Sequence, residues 1–421
     1  MLFRDREFVA LAGTAFARSQ AYSTILIALA LYADLFGTTG VVEGLFGTGF
    51  ALVQLLVVLP LGRAVDTGNA KRFLLAGLAL NVLVFLGFLL VASPVHIVLV
   101  RMVQGLAASV LWVTGAAVVG EISPSGARGR WLGTYNQVGA FSSLAGDLLG
   151  GLLLYVYGFT LTYLVLAAIT VGAFVLVLSA LRSNPGGQTD PEEATGRETI
   201  RALLARPMVR SLVLFRVAFS VGKMAVIIFL PIFARKEFGV SALAIGGILA
   251  GGKLTKSLLQ GYVGDLTDRV GRRHRFVVVG ALLYAVGTAL IPLAGWLGES
   301  IGTVSVTALG RTGAVSGPFV AMFLAFGLLG VADSIRLPAS MALFVEEGET
   351  EDSVASSMAL RSVSWKVGQV VGPVLVGGVR DAVSWLWAFW VAAALVVVAT
   401  AVFLVSFRRG RSASAVPMPG D

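Results

Sequence analysis

The chain has 421 residues, of which 57% are hydrophobic and only 13% charged, with 51 glycines, no cysteine and a net charge of +9. So much apolar surface exceeds what soluble cores of this size can hide, which makes lipid the solvent, and the absent thiols exclude disulfides and thiolate metal sites. The basic residues sit mostly in short gaps between apolar runs rather than on polar faces, which reads as topology-setting loop charge and excludes a nucleic-acid partner.

A helix needs about 20 apolar residues to cross a hydrocarbon core roughly 30 Å thick. The opening segment MLFRDREFVALAGTAFARSQ carries charge but no short apolar core with a small-residue cleavage site, so it reads as a cytoplasmic tail entering the first span. Spans are predicted near 8–33, 38–62, 72–92, 95–120, 132–155 and 159–181. A polar stretch follows, SNPGGQTDPEEATGRETIRALLARPMVR, whose Pro, Gly and acidic residues mark a linker and whose ETIRALLA portion suits a short surface helix. Further spans are predicted near 211–233, 241–263, 274–296, 317–344, 357–379 and 383–407. Their Gly and Ala content suits closely packed helices.

The expected fold is an all-α membrane protein of twelve transmembrane helices in two pseudo-symmetric six-helix bundles. Its expected parts are an N-terminal bundle 1–181, a cytoplasmic linker 182–210, a C-terminal bundle 211–407 and a cytoplasmic tail 408–421. Lys and Arg gather in alternate gaps, at Arg4, Arg6, Arg63, Lys71, Arg72, Arg128, Arg130, Arg197, Arg201, Arg206, Arg210, Arg269, Arg272, Arg273, Arg275, Arg408, Arg409 and Arg411. The opposite gaps contain Arg235, Lys236, Arg311 and Arg380, so both termini are expected in the cytoplasm, with the protein in a prokaryotic plasma membrane as a monomer.

Between the second and third spans of each half lies a charged turn. The second copy reads GDLTDRVGRR at 264–273, and LPLGRAVDTGNAKRF at 59–73 aligns with it, Gly62 with Gly264, Asp66 with Asp268, Lys71 and Arg72 with Arg273 and His274. Equivalent turns at equivalent places mark an internal repeat. The second copy resembles the loop signature of the major facilitator superfamily, G-x-L-a-D-r-x-G-r-k, through Gly264, Leu266, Asp268, Arg269, Gly271, Arg272 and Arg273. The first departs from it at Thr67 and Asn69. LVRMVQGLAAS on span four resembles the superfamily's R-x-x-Q-G pattern through Arg101, Gln104 and Gly105, which in proton-coupled members is linked to proton relay. GDLLGG on span five resembles the antiporter pattern G-P-x-x-G-G through Gly146, Gly150 and Gly151, with Asp147 where proline is expected, and GQVVGPVLVGG at 368–378 is a similar pattern on span eleven. The resemblance covers essentially the whole chain, is nearest to drug:proton antiporter-type members, and implies alternating access with spans one, four, seven and ten lining a central cavity. The physics of the turn agrees: its glycines permit a tight bend, and its aspartate can bond helix-end amides or guanidinium groups. Gly62, Asp66, Gly264, Asp268, Arg269, Gly271, Arg272 and Arg273 are therefore read as a conformational latch, beside the plainer role of the arginines in setting topology.

Ionisable residues inside spans cost roughly 2.5–3.5 kcal/mol each at a helix centre and should face the bundle interior or water. The basic ones are Arg18, Arg101, Arg216, Lys223, Lys253, Lys256, Arg336 and Lys366, against the acids Asp147, Asp333 and Glu43. This surplus of interior cations calls for an anionic partner, and Arg18, Lys223, Lys253, Lys256 and Arg336 are read as substrate-binding. Arg216, Arg361 and Lys366 lie near helix ends, where snorkelling is an alternative, and Asp333 with Arg336 has the i,i+3 spacing of an internal pair. Asp147, with Arg101, and more weakly Asp333, are read as proton-coupling groups, or as members of fixed ion pairs in which Asp147 would meet Arg101 or Lys253. Trp112, Tyr135, Phe141, Phe219 and Trp365 can line the cavity or pack the bundle.

The expected function is a secondary active transporter of a small amphipathic or anionic solute, proton-coupled, with no cofactor and no enzymatic activity. Broad drug export by proton antiport is the rival within that class, and a transport-incompetent sensor or scaffold the rival outside it. The partners expected are a small-molecule substrate, protons or another coupling ion, and the bilayer. A phosphate-binding G-x-x-x-x-G-K-[ST] loop is missing from the sequence, which disfavours a transport ATPase.

Overall fold

The computed structural model describes residues 2–124, 127–185, 197–308, 311–349 and 354–414, so linker residues 186–196 and tail residues 415–421 lie outside the described residues, as does the side chain of Asp66. The fold is all-α, and each predicted span falls on helical structure, the one near 274–296 being divided between two helices by a 3-10 turn at Ile291–Leu293. Helix α1 (Arg6–Leu35) starts at Asp5, whose carboxylate accepts the Phe8 amide at 2.9 Å, with Glu7 adding negative charge to the first turn. It is followed by α2 (Gly40–Thr67), α3 (Ala70–Leu89), which Asn69 caps by accepting the Arg72 amide, and α4 (Pro94–Ile122), whose leading proline suits a helix start.

Spans five and six form a continuous run, α5 (Arg128–Ala180), where a short connecting segment was expected. Only Gly158 departs from helical geometry, at φ 69° and ψ −164°, a conformation open to glycine, so one residue makes the whole connection. The linker's ETIRALLA portion is helical, within α6 (Arg197–Ala205), and its Leu203 packs with Val209 and Leu360.

The second half comprises α7 (Pro207–Phe238), α8 (Ala242–Val270), α9 (Arg273–Leu290), α10 (Ala294–Ile301), α11 (Gly317–Glu349), α12 (Val354–Ala382) and α13 (Trp385–Ser414). Gly271 ends α8 at φ 66°, its amide donating to the Thr267 carbonyl at 3.0 Å in a left-handed cap. Between α10 and α11 the sequence turns into a small antiparallel hairpin, β1 (Val304–Ala308) against β2 (Arg311–Val315), with Val304 opposite Val315. Hydropathy alone gives this segment only as a gap between spans, yet its β-branched alternation, VSVTA and RTGAV, is a strand pattern. Among the described residues, nine helices are long and apolar enough to cross a membrane, α5 among them, while α1 and α12 are as long but more polar.

The chain forms two compact units, Met1–Ala194 with Pro231–Ala250, and Thr195–Leu230 with Gly251–Asp421. In the first, α1 crosses α5 at backbone contact, because a Cβ at Gly146 would overlap the Gln20 carbonyl and one at Gly150 the Thr24 side chain. Thr24 Oγ1 donates to the Gly146 carbonyl at 3.0 Å, and Ser23 and Ser143 share a hydrogen bond at 2.7 Å. Gly105 of α4 likewise sits on the Phe50 carbonyl of α2. The hairpin tip 231–250 is tied to this unit by ion pairs, Arg235 with Asp34 at 2.8 Å and Lys236 with fully buried Glu43 at 2.6 Å.

The second unit repeats these crossings. Gly368 and Gly372 of α12 press on the backbone of α7 at Val217 and Val221, and Gly330 of α11 on the Gly252 carbonyl of α8. The start of the third helix in each unit reaches that unit's last span, through different residues. Lys71 Nζ donates to the Leu178 carbonyl at 2.9 Å at the end of α5, while His274 stacks on Phe407 of α13 at 4.2 Å. The first unit carries one further closure: Arg182 Nε donates to Glu7 at 2.8 Å, holding that carboxyl below its ordinary 4.5.

Candidate functional site

The ionisable residues read from the spans fall into two settings, one in each unit. In the first unit two arginines lie on neighbouring helices and are treated in opposite ways. Arg101 of α4 is fully buried, its Nε donating to the Phe46 carbonyl of α2 at 2.9 Å and its terminal nitrogen to Gln104 Oε1 at 2.6 Å. Its guanidinium also lies 4.3 Å from the Phe50 ring and 5.9 Å from that of Tyr22. The R-x-x-Q-G spacing is what makes this possible, since Gln104 is one turn from Arg101 and Gly105 lets α2 approach. Arg101 therefore braces α4 against α2.

Arg18, on α1, is part-buried and stacks on Trp112 of α4 with 4.3 Å between guanidinium carbon and ring centroid. Among the described residues it donates to no acceptor, and its Nε is buried without a partner. Asp147, on α5, is fully buried, and its backbone carbonyl is met by Gly246 of α8. The substitution of aspartate into the glycine pattern thus falls where α5 packs closely on its neighbours.

The second unit gathers charge around one acid. Asp333 of α11 binds Lys223 of α7 through Oδ2 and Arg336, one turn along α11, through Oδ1 at 3.1 Å. The i,i+3 spacing read from the sequence is thus a formed pair, and Lys223 joins it from across the bundle. Lys256 of α8 is within electrostatic reach of the same carboxylate. Aromatic rings complete the enclosure, with Arg336 lying 3.8 Å from the Phe219 ring and Lys223 5.7 Å from Tyr284 and 5.9 Å from Trp365. Arg216 donates to the Arg361 carbonyl at 2.7 Å and lies 5.1 Å from Trp365. One carboxylate so faces several cations, and desolvating them makes a counter-anion valuable.

Lys253 stands half-buried on α8. Of the charged turns, the second is tied inside its unit: Arg273 bridges Asp268, at 3.2 Å, and Glu346 at the end of α11. Arg269 pairs with Asp265 at 3.4 Å on the exposed side, and Arg272 is exposed. Gly62 and Gly264 have open space where a Cβ would stand, so neither is required by a close contact, whereas Gly271 is required by its backbone angle. Sequence reasoning did not find Glu346 as a partner of Arg273, nor Tyr284 beside Lys223, because each contact joins helices far apart in the chain. Lone pattern positions carry no such signal.

Comparison with known proteins places this geometry in context. A family model, Major Facilitator Superfamily, matches residues 11–300 and 212–419. Multidrug resistance protein MdtG of Enterobacter lignolyticus is 25% identical over 96% of this chain and 92% of its own length. The MFS-type transporter YuxJ of Bacillus subtilis is 27% identical over 56% of this chain and spans only 61% of its own length in the match. Among solved structures, a bacterial homologue of the human lysosomal transporter Spinster superposes with a TM-score of 0.78 at 15% identity, covering 96% of this chain and 97% of that one. The nucleoside transporter NupG superposes with a TM-score of 0.73 at 13% identity, over 95% of this chain and 99% of its own. At such identities the structural likeness speaks for the fold.

Proposed function

We propose that this chain, which belongs to the Major Facilitator Superfamily, moves a small amphipathic or anionic solute across the membrane by alternating access, driven by protons. It is a multi-pass secondary transporter and not an enzyme. The observation that carries the finer reading is the imbalance of interior charge in the second unit: Arg216, Lys223, Lys256, Arg336 and Arg361 stand with Asp333, the one buried carboxylate there among the described residues, while in the first unit Arg18 and Arg101 stand with the buried acids Asp147 and Glu43. In this reading Arg18, Lys223, Lys253, Lys256 and Arg336 attract the solute's negative group. Asp147 with Arg101, and more weakly Asp333, serve proton coupling. Gly62, Asp66, Gly264, Asp268, Arg269, Gly271, Arg272 and Arg273 form the cytoplasmic latch, and both termini are cytoplasmic.

A second reading, drug export by proton antiport, is favoured by the MdtG relatives, whose match runs the length of the chain. The surplus of interior cations weighs against cationic drugs as cargo. Uptake into proteoliposomes with an imposed pH gradient separates the two. The anion reading expects gradient-dependent movement of benzoate-type solutes and none of benzylammonium-type ones. Movement of cations alone would establish export of cationic drugs instead.

A further inference from the structure

We propose that Arg18, Trp112 and Tyr135 form the primary recognition site of the cargo's anionic group, and that the cargo is a carboxylate, or similar oxyanion, joined to a flat apolar body. This deepens the anion reading above and rests on it. The site lies wholly within the first unit, on three helices that pack together: Arg18 on α1, Trp112 on α4 and Tyr135 on α5. Arg18 is twelve residues from the start of α1 at Arg6, about 18 Å along its axis at 1.5 Å per residue, which is deep in the hydrocarbon core.

An arginine at that depth is costly unless something bonds it. Arg101, in the same unit, shows the ordinary solution, with its nitrogens spent on a backbone carbonyl and a glutamine. Arg18 has no such settlement among the described residues. Its contact is the face of Trp112, at 4.3 Å, and a cation–π contact spends none of the guanidinium's N–H groups on an acceptor. That in-plane fork matches the two oxygens of a carboxylate.

The flanking residues fit the same ligand. Tyr135 lies within electrostatic reach of Arg18, and its buried hydroxyl has no partner, so it can donate to an anion oxygen. The sequence makes room for it, because a Cβ at Gly115 of α4 would overlap that hydroxyl. One turn along α5 from Tyr135, Gly139 lies beside the guanidinium, a Cβ there standing in ordinary contact, 3.9 Å, with the Arg18 terminal nitrogen. Trp112 is 62% exposed despite holding the guanidinium, so much of its ring is left for an apolar body beside the bound anion. The cations of the second unit are poorer first partners, since Lys223 and Arg336 already share Asp333.

The test uses the purified full chain in detergent, with equilibrium dialysis of benzoate, benzamide and benzylamine against the wild type and the variants Arg18→Gln, Arg18→Lys, Trp112→Leu and Lys223→Gln. Wild type is expected to prefer benzoate. Arg18→Gln should weaken benzoate at least about tenfold, as loss of a charged hydrogen-bond pair does, and bring it level with benzamide. Arg18→Lys should fall between, keeping charge without the fork, and Trp112→Leu should weaken benzoate and benzamide together. Lys223→Gln should change benzoate binding less than Arg18→Gln. Thermal unfolding guards against misfolding: Arg18→Gln removes an unpaired charge and is expected to keep or raise the melting temperature. If benzoate binds the wild type but is lost in Lys223→Gln and kept in Arg18→Gln, the anion reading stands and this site is wrong. A wild type that prefers benzylamine overturns both.

Discussion

A buried charge is best understood by what balances it. Asp333 has two cations on it, Lys223 and Arg336, and a third, Lys256, close by, so its removal and the removal of one partner are not equivalent changes. In Lys223→Met the carboxylate keeps Arg336 at 3.1 Å, and the local pair stays neutral. In Asp333→Asn two cations lose their counter-charge in a desolvated place, the situation for which breaking a buried pair costs about 3–5 kcal/mol. Thermal unfolding of the purified variants should therefore rank Asp333→Asn well below Lys223→Met, and equal losses would mean that water already reaches the cluster. The identity of these residues was legible in the sequence from their placement inside apolar runs, and the Asp333–Arg336 spacing gave one pair outright. Which cation crosses the bundle to meet Asp333 was not legible, since helical spacing orders neighbours along one helix and says nothing about the facing one.

Helices in lipid lack a hydrophobic reason to associate, so close backbone approach at small residues does that work. Gly330 is such a point, with the Gly252 carbonyl and the Lys256 amide of α8 where its Cβ would stand, whereas Gly261 of α8 has open space. Gly330→Ala should lower stability by an amount typical of overpacking, about 1–3 kcal/mol, and with it the melting temperature, because a backbone cannot rotate away. Gly261→Ala should hold or raise it, since alanine is favoured over glycine by about 1 kcal/mol within a helix. The glycine pattern of spans five and eleven was visible in the sequence, but that its residues face α1 and α7 is known only from the packing. A second tie at this scale depends on pH. Glu7, at the start of α1, accepts from the backbone and side chain of Arg182, beyond the end of α5, and its pKa is lowered below 4.5 chiefly by that bond. A depressed carboxyl contributes stability that is present above its unfolded-state value and is lost as pH falls through the lowered folded-state value. Arg182 is largely exposed, so the pair should be worth on the order of 1 kcal/mol or less. The melting temperatures of wild type and Glu7→Gln should differ at pH 7 and converge as the solution is acidified below pH 4.5, the ordinary value for this carboxyl.

At the scale of the whole chain, the repeat of one plan was the most legible feature, because the two charged turns align at Gly62 with Gly264 and Asp66 with Asp268, and the glycine crossings recur on corresponding helices. What escaped the sequence is the single-residue connection at Gly158 and the hairpin before α11, both set by backbone angles and strand pairing rather than by hydropathy. The orientation of the whole rests on where Lys and Arg fall. The gaps that contain Arg63, Lys71, Arg72, Arg182, Arg206, Arg210, Arg269, Arg272, Arg273 and Arg275 far outweigh those that contain Arg235, Lys236, Arg311 and Arg380. Translocation is resisted by basic residues near span ends, so the crowded gaps should stay in the cytoplasm. The chain has no cysteine, so any introduced one is its sole thiol and reports one position. Ser183, after the end of α5, and Ser305, in β1, are both exposed and lie in gaps of opposite kind. In intact cells a membrane-impermeant maleimide should label Ser305→Cys and leave Ser183→Cys unlabelled, and inverted vesicles should reverse the pattern. Labelling of Ser183→Cys from outside would invert the assignment, placing the Asp268 turn on the outer face, where it could not latch the cytoplasmic side.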